Sequence, residues 1–371
     1  MPTRPSPELL RSVTDETVLR AVMVGGAHTR AELAVETGLS KPTASESVRR
    51  LTEAGLLRDT GERTTGRGRV GTYYSLSPEC GHALAVTIDP AAVVAEAVDP
   101  FGDVVARAEE TLSPGASRES VATALTTVAK GVTAGLAGPV RSVVVGAADP
   151  VDRESGRLVH LPEMPFLVGD LDPVAVLSPF VAGQVLVDND VNWSARAELA
   201  AAPAAGDVLL LHLGEGLGGA VVSDGEVRRG GQGLAGEVAH VVTVGPGGRA
   251  MPFTRVLAEL GLRQAGSTAV DVELLLERVD AGGPTAEQLL EDLGAAVGGV
   301  IAAAVGLLDP REVLLGGPWG SHPAVLAAVA SECAGSDRPV PIRAAQVVDP
   351  VLTGVRAHAV EELRRLVIAE R

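Results

Sequence analysis

Thr43 and Ser45 lie near the start of a segment, residues 40–55, that carries Arg49 and Arg50 further along. Short hydroxyl side chains at a helix start can read base edges, while arginines beyond them hold phosphates, so this spacing suits a recognition helix in a DNA major groove. Lys41, Pro42 and Glu46 belong to the same outward face. Further on, residues 61–69 form a glycine-rich stretch bearing Arg67 and Arg69. A hairpin tip of that composition can reach a phosphate backbone or a minor groove.

These side chains need a frame, and the flanking residues supply one. Residues 27–38 predict a short helix, with Thr29 as N-cap, Glu32 three positions later as its capping-box partner, and Gly38 as the stop. A second helix starts at Ser40 with Pro42 in its first turn, where a missing N–H is harmless. Ala44, Val48 and Leu51 form its buried stripe, and Pro42, Glu46, Arg49 and Arg50 point the other way. Val18, Leu19, Val22 and Met23 predict a bracing helix upstream, and residues 56–60 and 70–76 predict the two strands of a wing. The order helix, turn, recognition helix, hairpin is that of a winged helix-turn-helix spanning residues 1–78.

Charge is divided unevenly along the 371 residues, which carry a net charge of −16. Residues 1–75 hold 11 Lys and Arg against 9 Asp and Glu, and the rest hold 20 against 38. An acidic body repels DNA and leaves its binding to the head. A hydrophobic content of 46% with 2% aromatics predicts a core of Ala, Val and Leu and excludes disorder. The length exceeds one domain. Two distant cysteines, Cys80 and Cys333, disfavour a disulfide scaffold and a cysteine-rich zinc site, which fits a reducing cytoplasm. The N-terminus lacks the apolar core of a signal peptide. The longest apolar run, residues 294–308, is shorter than the roughly 20 residues of a spanning helix, so a buried, closely packed helix is expected there and no membrane partner.

The body alternates strands and helices. Strands are predicted at residues 82–89, 93–99, 104–109, 142–147 and 184–187, with a helix over 117–137, and the last strand runs into Asp188, Asn189 and Asp190. Antiparallel strands, a crossover helix and two parallel strands make half of an actin-like, ribonuclease-H-like α/β fold. A second half opens at Asp207 and leads into Gly214, Gly216, Gly218 and Gly219. The expected division is a small lobe over 82–190, completed by a C-terminal helix over 354–371, and a large lobe over 191–353.

The winged head, residues 146–152 and 161–166, Asn189 with Asp190, the glycine loop 214–219, the segment 236–240 and Leu315-Gly316-Gly317 together resemble the ROK family (repressors, open reading frames, kinases), in its sugar-responsive repressor branch. The resemblance implies that Asn189, Asp190, Glu237 and His240 contact a sugar, Asp190 standing where such kinases keep their catalytic base. Carboxylates beside amide or imidazole groups suit vicinal hydroxyls, each of which donates to one partner and accepts from another. Two other roles stay open: Asp190 as cap of the helix that begins near Val191, and His240 as a satisfied interior histidine.

The chain also departs from that pattern. The first phosphate loop of the family reads Asp-x-Gly-x-Thr, where this chain has Asp89-Pro90-Ala91-Ala92-Val93, and the threonine of the second loop is Glu215. Pro90 removes a donor, Ala91 adds a Cβ, and Glu215 sets a negative charge beside a polyanion, so no nucleotide cofactor is expected. The family's zinc site is a cysteine cluster; residues 244–253 contain none, and Ala239 replaces a glycine, so no metal is expected. The resulting expectation is a DNA-binding transcriptional regulator, without enzymatic activity, that binds a double-stranded operator as a homodimer or tetramer under control of a sugar-derived effector. The alternatives are a sugar kinase with a fused DNA-binding head, and a regulator with a vestigial sugar site governed by a protein partner.

Overall fold

A computed structural model describes residues 6–65, 70–161, 169–202 and 206–370. The head comprises α1 (Pro7–Gly25), β1 (His28–Thr29), α2 (Arg30–Thr37), α3 (Lys41–Glu53), β2 (Leu57–Arg63) and β3 (Thr72–Leu76). Thr29 Oγ1 accepts from Glu32 N–H while Glu32 accepts from Thr29 N–H, a complete capping box, and Gly38 ends α2 in the left-handed conformation. Ser40 Oγ accepts from Thr43 N–H at the start of α3. Val18, Leu19, Leu33, Val48 and Leu51 close the core.

Two details differ from expectation. Residues 28 and 29 pair with Tyr74 and Tyr73 as a third strand, so the sheet order is β1-β3-β2. β2 continues past residue 60 to Arg63 through an irregularity after Asp59. Arg67 and Arg69 of the predicted wing tip lie outside the described residues.

The body follows with β4 (His82–Ile88), β5 (Ala92–Val98), β6 (Val104–Thr111), α4 (Arg118–Thr133), β7 (Val140–Ala147), α5 (Pro173–Leu177) and β8 (Gln184–Asn189). Then come α6 (Asp190–Ala201), β9 (Val208–Leu213), β10 (Leu217–Ser223), β11 (Glu226–Val227), β12 (Val242–Gly245), β13 (Arg249–Pro252), α7 (Phe253–Glu259) and α8 (Val272–Asp280). The last elements are α9 (Gly283–Leu308), β14 (Glu312–Gly316), α10 (Pro323–Ala334), β15 (Ile342–Ala344) and α11 (Pro350–Ala369).

Two five-stranded sheets carry the same plan: order β6-β5-β4-β7-β8 in one and β11-β10-β9-β14-β15 in the other. In each, the first three strands are antiparallel and the remaining two join in parallel. Parallel neighbours require crossovers, and those crossovers cover the sheets with helices, so β4 and β7 are almost wholly buried. This repeated arrangement is the actin-like body. α11 returns to pack on β4, β7 and α6. Its buried face, Val355, Ala359, Leu363 and Val367, belongs to one apolar cluster with Val18, Leu19 and Met23 of the head.

The apolar run 294–308 forms the C-terminal part of α9 and is only partly packed. Val297, Val300 and Ile301 are buried, whereas Leu307 is 86% exposed. Residues of one kind around the whole helix cannot all face one neighbour, so the far side meets solvent. Among the described residues α9 is the one helix long and apolar enough to cross a bilayer, and half of its most apolar stretch is buried in the fold.

Candidate functional site

On the head, Lys41, Pro42, Glu46 and Arg49 are exposed on α3, and Thr43 and Ser45 are half-buried at its start. The Thr43 hydroxyl lies 2.8 Å from Ser40 Oγ. Arg49 is held along the helix, donating to Glu46 Oε1 at 2.6 Å and to Glu53 Oε1 at 2.5 Å. The hydrogen bond from Arg49 keeps the Glu46 carboxyl below the usual range. A phosphate must therefore compete with two carboxylates for Arg49.

Arg50 does not face outward with the others. Its Nε donates to Asp15 Oδ2 at 3.0 Å and its Nη2 to Asp15 Oδ1 at 2.6 Å, and Ser47 Oγ donates to the same Oδ1 at 2.5 Å. Asp15 on α1 is 8% exposed. Next to buried Ser47 and Leu51, Arg50 sits on the flank of α3 that meets α1, and it braces the helices instead of presenting a charge to DNA.

In the body, a cleft of about 350 Å³ opens between the two sheets, lined by Asp89, Asn189, Asp190, His212, Glu215 and Glu237 among others. Asn189 and Asp190 stand where β8 turns into α6. Asn189 is the N-cap: its Oδ1 accepts from Val191 N–H at 3.0 Å, and its Nδ2 donates to the carbonyls of Ala147 and Asp149, each at 3.3 Å. All its obvious valences thus tie α6 to the end of β7. Asp190 occupies the first turn and accepts from Val191 N–H at 2.7 Å.

Glu237 reaches the cleft because Gly236, at φ 98°, lets the chain pass Gly219 closely; a Cβ there would stand 2.0 Å from the Gly219 carbonyl oxygen. The short helical turn that follows, Val238–His240, buries Val238 and Ala239. That leaves His240 exposed, away from the cleft and away from the interior. Both roles expected for His240 fail for one reason: the two apolar residues before it take the inward positions of the turn.

Two other residues take part that the sequence did not single out. His212, at the end of β9, lines the cleft, and burial holds its imidazole below the usual range, in the neutral form. Asp149, just after β7, is 4% exposed and its carboxylate has no hydrogen-bond donor among the described residues. Burial, then the neighbouring charges of Asp190 and Glu237, push Asp149 up to about 7. Burial does the same to Asp190, and burial together with Asp190 does so to Glu237, each to about 7.

The sign of the pH effect follows. Unfolded, these carboxyls titrate near pH 4; folded, they hold protons to about pH 7, so the native state binds more protons across that interval and stability falls as pH rises through it. The melting temperature is expected to drop between pH 5 and pH 8, and Asp149→Asn to remove part of that slope. Differential scanning fluorimetry across the range checks this; an unchanged slope would mean that Asp149 is charged in the folded chain at neutral pH.

The residues do not fit a nucleotide. In the first loop, Asp89 Oδ1 accepts from the N–H groups of Ala91 at 2.8 Å and Ala92 at 3.0 Å, the donors a phosphate would need. In the second, Gly214 N–H is spent on the Gly216 carbonyl at 3.1 Å and Glu215 is exposed at the rim. A family-type zinc finds no ligand set either: residues 244–253 form the β12–β13 hairpin, with Met251 buried beneath it, and no described group of His, Cys, Asp and Glu could hold a metal ion.

Residues 98–336 match the model of the ROK family, and residues 17–68 match that of the MarR family. The chain belongs to the ROK family. The beta-glucoside kinase of Klebsiella pneumoniae is 30% identical over 154 residues, 38% of this chain and 52% of that protein, so the match spans about half of the kinase's length. The N-acetylglucosamine repressor of Escherichia coli O6:H1 is 20% identical over 348 residues, 88% of this chain and 85% of the repressor. Among solved structures, a ROK family transcriptional regulator homologous to the E. coli MLC protein covers 98% of this chain with all of its own, at TM-score 0.66 and 17% identity. In this ROK chain the kinase-like part is thus joined to a MarR-like winged head.

Proposed function

We propose that the chain is a DNA-binding transcriptional regulator, a repressor acting in the cytoplasm as a homodimer on a double-stranded operator. Its effector is a sugar or sugar derivative held in the cleft by Asp190 and Glu237, and it transfers no phosphate. Residues 1–78 are the DNA-binding unit, 82–190 with the C-terminal helix the small lobe, and 191–353 the large lobe. The observation that carries the reading is the placement of a winged head on a body whose phosphate loops are closed on themselves.

The head is also placed to respond to the cleft. α6 begins at Asn189 in the cleft wall and packs along α11. Near its other end α11 links the body to the head: Arg364 Nε donates to the Pro100 carbonyl at 2.7 Å and its Nη2 to the Phe101 carbonyl at 3.2 Å, both in the β5–β6 turn, while Nη2 also donates to the carbonyl of Met23 on α1 at 3.4 Å. A ligand that favours one setting of α6 against α11 changes the head only through such contacts. Arg364→Ala is expected to keep both ligand and DNA affinity within about threefold while shrinking their mutual effect, about 1–3 kcal/mol in typical allosteric pairs. Paired titrations of DNA with and without ligand decide it; an undiminished effect rules out this route.

The wing supplies a second test. Arg67→Ala with Arg69→Ala is expected to weaken operator binding and reduce the slope of log K against log salt by about 0.9 for each phosphate that is no longer neutralised. An unchanged slope removes the wing from the interface. The exposed position of His240 favours one competing reading, in which the cleft is vestigial and a protein partner controls the regulator. Glu237→Ala separates the two: loss of ligand response with DNA binding intact supports the effector site.

A further inference from the structure

The outer face of α9 carries a pattern that its own fold does not use. A groove of about 1110 Å³ runs along it, with Ala295 and Ala302 in the floor, Val244 and Gly247 of the β12–β13 hairpin on one side, and Ser331 and Arg338 on the other. Gln288, Asp292, Ala295, Gly299, Ala302 and Gly306 follow one another in alternating steps of four and three, the repeat that sets one helix against another. From Ala295 onward this seam holds nothing larger than alanine, so a second helix can come close. Two glycines of the face serve the fold itself: a Cβ on Gly298 would stand 2.6 Å from Glu332 Cγ, and one on Gly299 2.2 Å from Thr243 Oγ1. Gly306 has no such reason. It lies inside the helix, no neighbouring group comes within 4 Å of a Cβ placed on it, and a glycine there only weakens the helix. Next to it Leu307 is 86% exposed, and Val242 and Val244 on the outer side of the hairpin are also exposed.

Charge along the groove says what covers it. At one end Glu287, Glu291 and Asp292 have no ion pair among the described residues. At the other, Arg338 donates to the Val305 carbonyl and to Asp309, whose side chain is 84% exposed, and an ion pair so open to water is easily exchanged. A copy laid parallel would set Glu291 against Glu291. A copy turned about a two-fold axis near Gly299 brings the acidic end of each α9 beside Leu307 and Arg338 of the other. We propose that α9 and the β12–β13 hairpin form the two-fold interface between two copies of this chain, with the two α9 helices antiparallel. Residues 287–308 span about 33 Å of helix. With the hairpin alongside, the strip is roughly 20 Å across, so that its curved surface reaches the roughly 800 Å² per partner of a stable interface. β12 starts just after the Val238–His240 turn, so the interface adjoins the segment that carries Glu237 into the cleft. The proposal gives the homodimer of the proposed regulator its surface, and rests on that reading for the role of the dimer at an operator.

Sedimentation velocity of the full chain at micromolar concentration is expected to show a dimer. Ala302→Arg combined with Leu307→Glu, both at exposed positions, should raise the dimer dissociation constant at least a hundredfold while circular dichroism stays that of wild type. Glu291→Arg alone should weaken the dimer at least tenfold, and adding Arg338→Glu in the same chain should restore it. A structural role for either residue within its own copy gives no such rescue. A wild-type monomer overturns both the interface and the homodimer of the proposed function, and leaves the face to a different protein. A dimer untouched by Ala302→Arg with Leu307→Glu overturns the interface alone. Weakening by Glu291→Arg that Arg338→Glu fails to reverse overturns the antiparallel arrangement. DNA binding measured on the same samples keeps the two readings apart, since a chain that dimerises through α9 and binds no operator upholds the interface and removes the regulator.

Discussion

Arg50→Ala is expected to abolish operator binding at ordinary temperatures because Arg50 holds α3 to Asp15 on α1. The substitution leaves Asp15, 8% exposed, with its charge answered by one hydroxyl. Removing one partner of an enclosed pair costs about 3–5 kcal/mol, and partial exposure of the Arg50 side chain places the expected loss near the lower end. A loss of that size is a large share of the roughly 5–15 kcal/mol of a folded protein and falls where α1 holds α3, so it loosens the recognition helix first. Thermal melts should show an early transition in the variant, and Asp15→Asn combined with Arg50→Ala should recover part of the loss. Arg49→Ala provides the contrast, with DNA affinity lowered and melting unchanged.

Gly236→Ala has the other large effect. A non-glycine residue at φ 98° is strained by about 1–3 kcal/mol, and a Cβ 2.0 Å from the Gly219 carbonyl forces the two backbone segments apart. The combined destabilisation is expected to exceed about 3 kcal/mol and to carry Glu237 out of the cleft. The variant should lose ligand response completely, and its melting temperature should fall. Retained response with wild-type melting would show that the segment can shift at little expense and that Glu237 is not positioned by it.

The head is legible in the sequence because its signals are local. A capping box is read from Thr29 and Glu32 three residues apart, and the buried stripe of α3 from Ala44, Val48 and Leu51. Arg50 is misplaced by the same reading because its partner, Asp15, is 35 residues away, and the period of a helix does not say which neighbour its flank will meet. In the body, the strand and helix order implies the duplicated actin-like plan. The cleft is only half legible: Asp190 and Glu237 meet there, Asn189 serves as a cap within it, and His240 turns outward behind Val238 and Ala239. Asp149 carries no local signal, because an aspartate before a proline reads as an ordinary exposed turn. Its burial exists only once β7, β8 and the Glu237 segment are brought together.

Selection of duplexes from a random pool by the purified full chain, followed by anisotropy titration of the enriched sequence against its scrambled form, tests the central claim. The account predicts one recurring motif, bound at least a hundredfold more tightly than the scrambled duplex, with recognition weakened by changes at Thr43 or Ser45. No enriched motif, or equal affinity for both duplexes, would contradict the assignment as a DNA-binding regulator.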